Sequence, residues 1–457
     1  MKRLQRNTSF KANWISMIVL IVLLAASYVY TLANQVSLVP NIAELSNHPH
    51  LKTFQQPGKG YSKSNHPRLE TFDQSGNDYR KCGYNAPFPR PQHACVVHPM
   101  TKIPYCQIEN LRVDVDKIHM KAIGGEALDT VMGQDEKAEF PKYTKGAFVT
   151  LKGINMTSDR SNFHYLKDVM NNVQVQKEGE LTCTRRIPGL TLMITRYEYC
   201  NAYHTMTDWF NAFLALPEFQ WRNVTVVFLD GHPQGKLDSV WSTLFGNVMY
   251  AKQLPAGGVC FDHVTMIPPG YSSVLWPQGR AFTGLNRCPS MMEAFVKFFV
   301  QGHGLQNVQK QPGRVTVIDR IPYLAHPRSK PKNSERMVQN FEDIAVAVRN
   351  VTGVTKVQVV QFEKMSFHEQ LRTIRETHVL IGNHGAGMAH LLFMQDFTFV
   401  LEFNQPASRM FVDFANWKPK IKHILLGSIT GNRIPQNLID KEVVPHVAKL
   451  LLDGGVE

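Results

Sequence analysis

No charged residue lies between Lys11 and Glu44 of this 457-residue chain, and no acidic one precedes Glu44. That gap excludes an ordinary soluble N-terminus. The run Trp14 to Leu32, "WISMIVLIVLLAASYVYTL", is long enough to cross a bilayer as a helix. Lys2, Arg3, Arg6 and Lys11 stand before it, so the basic flank is expected in the cytosol and the rest of the chain on the far side. The apolar run exceeds a signal-peptide core and lacks a small-x-small cleavage site, so it reads as a retained anchor of a single-pass type II membrane protein.

Close cysteine pairs are missing too. Cys82, Cys95, Cys106, Cys183, Cys200, Cys260 and Cys288 all follow the apolar run, with no Cys-x-x-Cys spacing, which argues against a zinc site. In an oxidising lumen they allow up to three disulfides and one leftover thiol, with the pairing open. Nor is there a basic stripe with interleaved aromatics. The four N-terminal charges leave +9 of the formal +13 spread along the chain, so nucleic acid is not an expected partner. A basic lumenal body suits anionic small molecules instead, nucleotide sugars among them. Sequons at Asn155, Asn223 and Asn350 fit passage through the glycosylation machinery.

There is no internal repeat, and 43% hydrophobic content is enough to bury a sizeable core. Residues from about Asn34 to Arg80 are polar and rich in Pro, Gly, Ser and Asn, as a flexible stem would be. From Cys82 the composition is globular. "VTVVFLD" (Val224 to Asp230), "RVTVIDR" (Arg314 to Arg320), "KVQVVQF" (Lys356 to Phe362), "HVLIG" (His378 to Gly382) and "FTFVLEF" (Phe397 to Phe403) read as buried strands. "SERMVQNFEDIAVAVRN" and "SFHEQLRTIRET" between them read as helices, so an α/β fold with parallel strands and crossover helices is expected, most clearly after about residue 312.

The stretch "HVLIGNHGAGMAHLLFM" joins a strand to a helix through a turn with two glycines. Glycines there let the backbone approach a ligand and leave helix-start amides free for an anion, a phosphate or diphosphate. It is no P-loop, lacking Gly-Lys-Ser/Thr, and no nucleophile elbow, lacking a central Ser. Arg320 ends one strand, Arg328 and Lys330 follow, and Glu402 ends another. Arginine pairs with diphosphate in a forked manner and a strand-end carboxylate suits ribose hydroxyls. A second constellation is "EYCNAYHTMTDWFNAFLAL", where Asn201, His204, Asp208 and Asn211 make one polar stripe on an otherwise apolar helix. His204 and Asp208, four apart, are expected to meet through a hydrogen bond that orients the imidazole, unless the stripe is a cap and a core polar network.

The segments "YEYCNAYHTMTDWFNAF", "VVFLDGHPQGKLDSVWSTLF", "GVCFDHVTMIPPGYSSVLW" and "EQLRTIRETHVLIGNHGAGMAHLLFM" resemble family 61 of the glycosyltransferases, from roughly Cys82 to the C-terminus. The resemblance is strongest to members that transfer xylose to N-glycans. It implies a GT-B-like architecture, two Rossmann-like domains facing a cleft, behind a transmembrane helix and a stem. The implied organisation is a cytosolic tail 1–13, an anchor 14–32, a stem 33–81, an acceptor-side domain 82–305 and a nucleotide-sugar-binding domain 306–457. It further implies a Golgi membrane enzyme with a lumenal body, UDP-xylose as donor and the core β-mannose of an N-glycan as acceptor. The family's nucleotide-binding pattern falls on Arg320, Arg328, Asn333, His384, Gly385, Ala386, Gly387 and Glu402, and its acceptor-side pattern on Asn201, His204 and Asp208. His204 oriented by Asp208, or Asp208 itself, is the expected base, with no metal required although Asp114 and Asp116 have Asp-x-Asp spacing. Met388 and Ala389 stand where the family often has Leu-Thr, and His378 where relatives carry an acid. The alternatives are a family 61 transferase using a GlcNAc or arabinose donor, and a non-catalytic lumenal protein binding glycan or UDP.

Overall fold

The computed structural model describes residues 92–453 apart from short internal segments, namely 99–100, 123, 133–138, 157–163, 217–222, 277–288, 322–336, 404–407, 428 and 430. The expected tail, anchor and stem lie outside the described residues, as do Arg328, Asn333, Cys82 and Cys288. Among the described residues no helix is long and apolar enough to cross a membrane. They belong to one compact unit of mixed α/β structure built on two main sheets.

The larger sheet has nine strands among the described residues. Its path runs Gly246–Tyr250, Val224–Phe228, Arg185–Ile194, Val259–Ile267, Pro104–Val113, Ala94–Val97, Asn155–Met156. Phe148–Thr150 pairs with Pro104–Val113 and carries Val173–Val175. The first four strands on that path are mutually parallel and stand third, second, first, fourth in chain order. The chain therefore reverses its direction of winding between Arg185–Ile194 and Val259–Ile267, which leaves a crevice outside their carboxyl ends. Cys95 and Cys106 face each other across an antiparallel pair and form one disulfide. Cys183–Cys260 is a second, and Cys200 is a free thiol.

The smaller sheet has five parallel strands, ordered Lys356–Val360, Arg314–Ile318, Val379–Asn383, Thr398–Phe403, Ile421–Leu426. In chain order that is second, first, third, fourth, fifth, so its switch point lies between Arg314–Ile318 and Val379–Asn383. The three central strands are buried on both faces, the reason they read as continuous, mostly apolar runs. Helix Phe367–Glu376 starts at a capping box in which Ser366 and Glu369 exchange hydrogen bonds.

Between the sheets the packing is aromatic. Trp209 of helix Ala202–Ala215 lies 5.2 Å from the rings of both Phe299 and Phe367, and Phe299 lies 4.9 Å from Phe393. This contact joins helices of the first sheet to helices of the second in a single core, which explains why 202–215 is apolar around most of its circumference. Two local expectations change. The helix begins at Ala202 because Asn201 caps it, its side chain accepting from the amides of Tyr203 and His204 at 3.1 and 3.3 Å. "MAHLLFM" belongs to a 3-10 helix, Ala386–Phe393, rather than an α-helix.

Candidate active site

At the switch point of the five-stranded sheet, Arg320 follows the Arg314–Ile318 strand and the "NHGAG" turn follows Val379–Asn383. Gly385 is fully extended, a backbone any residue adopts; what it lacks is a side chain, and a Cβ there would lie 2.9 Å from Arg320 Nη1. The glycine thus lets the guanidinium lie against the turn. Ala386 and Gly387 are half-buried and open the 3-10 helix, where the first amides have no intrahelical acceptor. His384 Nδ1 lies 2.5 Å from Glu402 Oε1, and His423 Nε2 lies 2.8 Å from Glu402 Oε2. Burial alone would raise the Glu402 carboxyl, but its two imidazole hydrogen bonds outweigh that and hold it below the usual range. Glu402 is fully buried with both oxygens taken, so here it orients His384 instead of reaching a ribose. His384 Nε2 has no hydrogen-bond partner among the described residues. Lys236 reaches over from the first sheet to donate to the Glu363 carbonyl at 3.4 Å, close to Arg320.

The first sheet's switch point is built differently. Arg196, just beyond the Arg185–Ile194 strand, is fully buried. Its Nη2 donates to Asp230 Oδ1 at 2.8 Å and its Nη1 to Asp238 Oδ1 at 2.6 Å, with the guanidinium 4.0 Å from the Phe228 ring. His232 donates from Nε2 to the Arg196 carbonyl at 3.1 Å while its Nδ1 meets Glu139 at 2.6 Å, two acceptors that favour the doubly protonated ring. Burial would depress that imidazole, yet Asp230 and Glu139 raise it. Nothing in the spacing of these residues announced the network; the "FLDGHPQGKLD" stretch carries four of its parts across one strand end.

The expected His204–Asp208 pair does not form. Asp208 Oδ1 accepts from the Gly270 amide at 2.6 Å, and Oδ2 from the amides of Tyr197 and Glu198 at 2.9 and 3.4 Å. Burial pushes this carboxyl well above its usual range against the pull of those amides. It staples the two loops of the switch point together, and Gly270 must be glycine because a Cβ would collide with Thr207 Oγ1 and Asp208. His204 has Glu198 for a partner, Nδ1 to Oε2 at 3.7 Å, with about a quarter of its side chain exposed. Asn201 is occupied as the helix cap, and Asn211 Nδ2 donates to the Pro268 carbonyl at 3.4 Å. Ring contacts bridge the two switch points: His384 to Phe411 at 4.9 Å, and Phe411 to Tyr203, the residue beside His204, at 6.4 Å.

The remaining candidates sit elsewhere. His378 accepts the Gly313 amide at 3.0 Å at the amino end of its strand, a structural role. Asp114 is drawn to Arg112 and Lys117 at 3.4 and 3.6 Å, and Asp116 accepts the Gly257 amide at 3.4 Å. Among the described residues no group of three or more His, Cys, Asp or Glu converges as for a metal ion. Asn155, Asn223 and Asn350 are all exposed.

Residues 202–401 match the profile of Glycosyltransferase 61, a span from the His204 helix to one residue short of Glu402. A rice (Oryza sativa subsp. japonica) protein, "Beta-1,2-xylosyltransferase RCN11", is 30% identical over 70% of this chain and 67% of its own length. The chain belongs to glycosyltransferase family 61. A second relative, the Arabidopsis thaliana "Beta-1,2-xylosyltransferase", is 26% identical over 68% of this chain and 72% of its own. The Drosophila melanogaster "EGF domain-specific O-linked N-acetylglucosamine transferase" is 29% identical over 44% and 38%. Within the family 61 span, both switch points contribute side chains: Arg320, His384 and the glycine turn from one, His204 and Asp208 from the other.

Proposed function

We propose that this chain is an inverting β1,2-xylosyltransferase that moves xylose from UDP-xylose to the core β-mannose of N-glycans. The observation that carries this reading is the pair of switch points. One offers Arg320, a side-chain-free turn and an oriented imidazole suited to a diphosphate; the other offers a partly exposed histidine 3.7 Å from a buried carboxylate. The greater coverage by plant xylosyltransferases than by N-acetylglucosamine transferases supports xylose as the sugar. In this reading the two sheets are the Rossmann-like halves of a GT-B architecture and face a common cleft.

An α-linked donor giving a β-linked product requires in-line attack by the mannose 2-hydroxyl on the anomeric carbon. His204 takes the hydroxyl proton, with Glu198, in place of Asp208, close enough at 3.7 Å to offset the positive charge the ring gains. Arg320 and the amides of the 385–387 turn stabilise the diphosphate as the glycosidic bond breaks, in the role a metal has in other transferases. His384, its Nδ1 fixed by Glu402, presents Nε2 to the same anion. Arg328 and Asn333 are assigned to the donor side by the family pattern. We further propose a Golgi type II topology with 14–32 as the anchor. Two disulfides and three exposed sequons are what an oxidising, glycosylating lumen would produce.

The test is a donor screen with the detergent-solubilised full chain on an N-glycan with terminal GlcNAc, in chelator, reading product mass. A pentose added only from UDP-xylose is expected. An added N-acetylhexosamine would move the donor within the family, activity only with manganese would overturn metal independence, and no product from any donor would leave a binding protein.

A further inference from the structure

Large aromatic side chains in this protein are generally sealed: Trp209, Trp241 and Trp417 are all fully buried. Some are not, and three of these sit together. Tyr197, Tyr271 and Trp276 are each only half-buried, on the two loops that leave the carboxyl ends of Arg185–Ile194 and Val259–Ile267. Tyr197 meets Tyr271 at 5.1 Å and 81°, and Trp276 at 5.3 Å and 82°. His204 is enclosed by the same rings, 5.0 Å from Tyr197 and 5.2 Å from Trp276. Tyr203 backs the indole, stacked at 6.0 Å and 12°, with its hydroxyl donating to the Leu275 carbonyl at 2.6 Å. Asp208 holds the two loops in register through amides of both.

Beside this cluster, Tyr271, Pro269, Thr195, Asp168 and the half-exposed Phe140 line a cavity of about 170 Å³. A partly exposed, mutually braced aromatic corner next to a concavity at a topological switch point is a place for a ligand with an apolar face. A pyranose has such a face, made of ring C–H groups, and a rim of hydroxyls for polar neighbours. Aromatic rings cover the first at little entropic cost, having only two side-chain torsions.

We propose that Tyr197, Tyr271 and Trp276 form the stacking platform that seats the acceptor saccharide against His204, with the adjoining sugar residue in the cavity beside Tyr271. This rests on the transferase reading above and adds which surface recognises the acceptor. Stacking on the platform presents a sugar hydroxyl to His204, while the diphosphate is held at the other switch point.

The experiment titrates an N-glycan with terminal GlcNAc, and separately UDP, into full-length wild type, Trp276→Ala, Trp276→Phe and Tyr271→Ala by calorimetry, and measures acceptor KM where product forms. Both alanine variants are expected to weaken glycan binding about tenfold or more, the scale of losing one ring stacked on a ring-shaped ligand. Trp276→Phe should recover most of it, and UDP affinity should stay within about twofold. Tyr271→Ala guards against a folding defect from uncovering Tyr203. Unchanged glycan affinity in both alanine variants overturns the proposal, as does loss of UDP binding in their place. Wild type that binds glycan through Trp276 yet makes no product keeps the platform and sinks the transferase reading. Product formation with an unaltered acceptor KM in the alanine variants does the reverse.

Discussion

The two sheets reach the same topological feature and finish it in opposite ways. At the first switch point the strand ends are filled by the protein's own groups: Arg196 is saturated by Asp230 and Asp238, and Asp208 by three amides. At the second, Gly385 withholds a side chain, Arg320 lies against it and His384 keeps one nitrogen unpaired among the described residues. A crevice between strand ends is therefore an opportunity, and side-chain volume decides its use. On the proposed function the sealed edge meets the acceptor on its aromatic surface, and the edge at Gly385 takes the diphosphate.

Breaking the sealed edge should have the largest effect. Arg196→Met strips the buried partner from Asp230 and is expected to cost about 3–5 kcal/mol of stability, read as the midpoint of denaturant unfolding. A variant as stable as the parent would mean that the network is not what holds this edge. Next comes the open edge. Arg320→Ala should lower kcat/KM for UDP-xylose by about 10²–10³-fold, the cost of losing a group that meets developing charge, with little change in unfolding midpoint. If Arg320→Ala destabilised as much as Arg196→Met, the contrast between sealed and open edges would fail.

Much of this contrast was hidden in the sequence, for physical reasons. Four strands of the five-stranded sheet were legible, the three central ones because parallel strands buried on both faces are unbroken apolar runs, while the half-exposed Ile421–Leu426 edge strand was not read. The Arg185–Ile194 strand was not: Pro188 and Gly189 interrupt it, Gly189 has φ 78°, and pairing with Val259–Ile267 shifts register there, between Ile187 and Leu190. His204 was singled out by its place on a polar helix stripe and Arg320 by its place after a strand, and both stand in those places. The partner of His204 was not. Four-residue spacing puts Asp208 on the right helix face, yet tertiary contacts with two loops claim its carboxylate, and Glu198 stands before the helix where no periodicity reaches. Asn201 shows a polar residue can mark a helix start and a functional stripe equally well; the amides of Tyr203 and His204 decide for the cap.

A smaller effect sharpens the comparison at His204. Glu198→Gln should reduce kcat by about tenfold with the KM for UDP-xylose and the unfolding midpoint unchanged. A merely structural Glu198 would change stability and leave kcat per folded molecule alone. Asp208→Asn is the counterpart: it should lower the unfolding midpoint, because Asp208 touches loop amides and not the imidazole.

The mildest prediction separates the two edges by pH alone. Glu402 has its carboxyl held below 4.5 in the folded state, so the stabilisation it contributes is complete above 4.5 and drains as pH falls through the lowered value. His232 has its imidazole held above 6.5, so its contribution is complete below 6.5 and drains as pH rises through the raised value. Asp230 at the sealed edge and the buried histidines His98, His303, His378 and His390, all held low, add their own acid-side losses, so the two edges separate in the difference between variant and parent when thermal unfolding is followed against pH. Glu402→Gln should remove part of the loss below 4.5 and His232→Gln part of the loss above 6.5, each leaving the other limb in place. If either substitution flattened both limbs, the two edges would be one coupled electrostatic system, and the shared aromatic core between the sheets would have to transmit charge as well as packing.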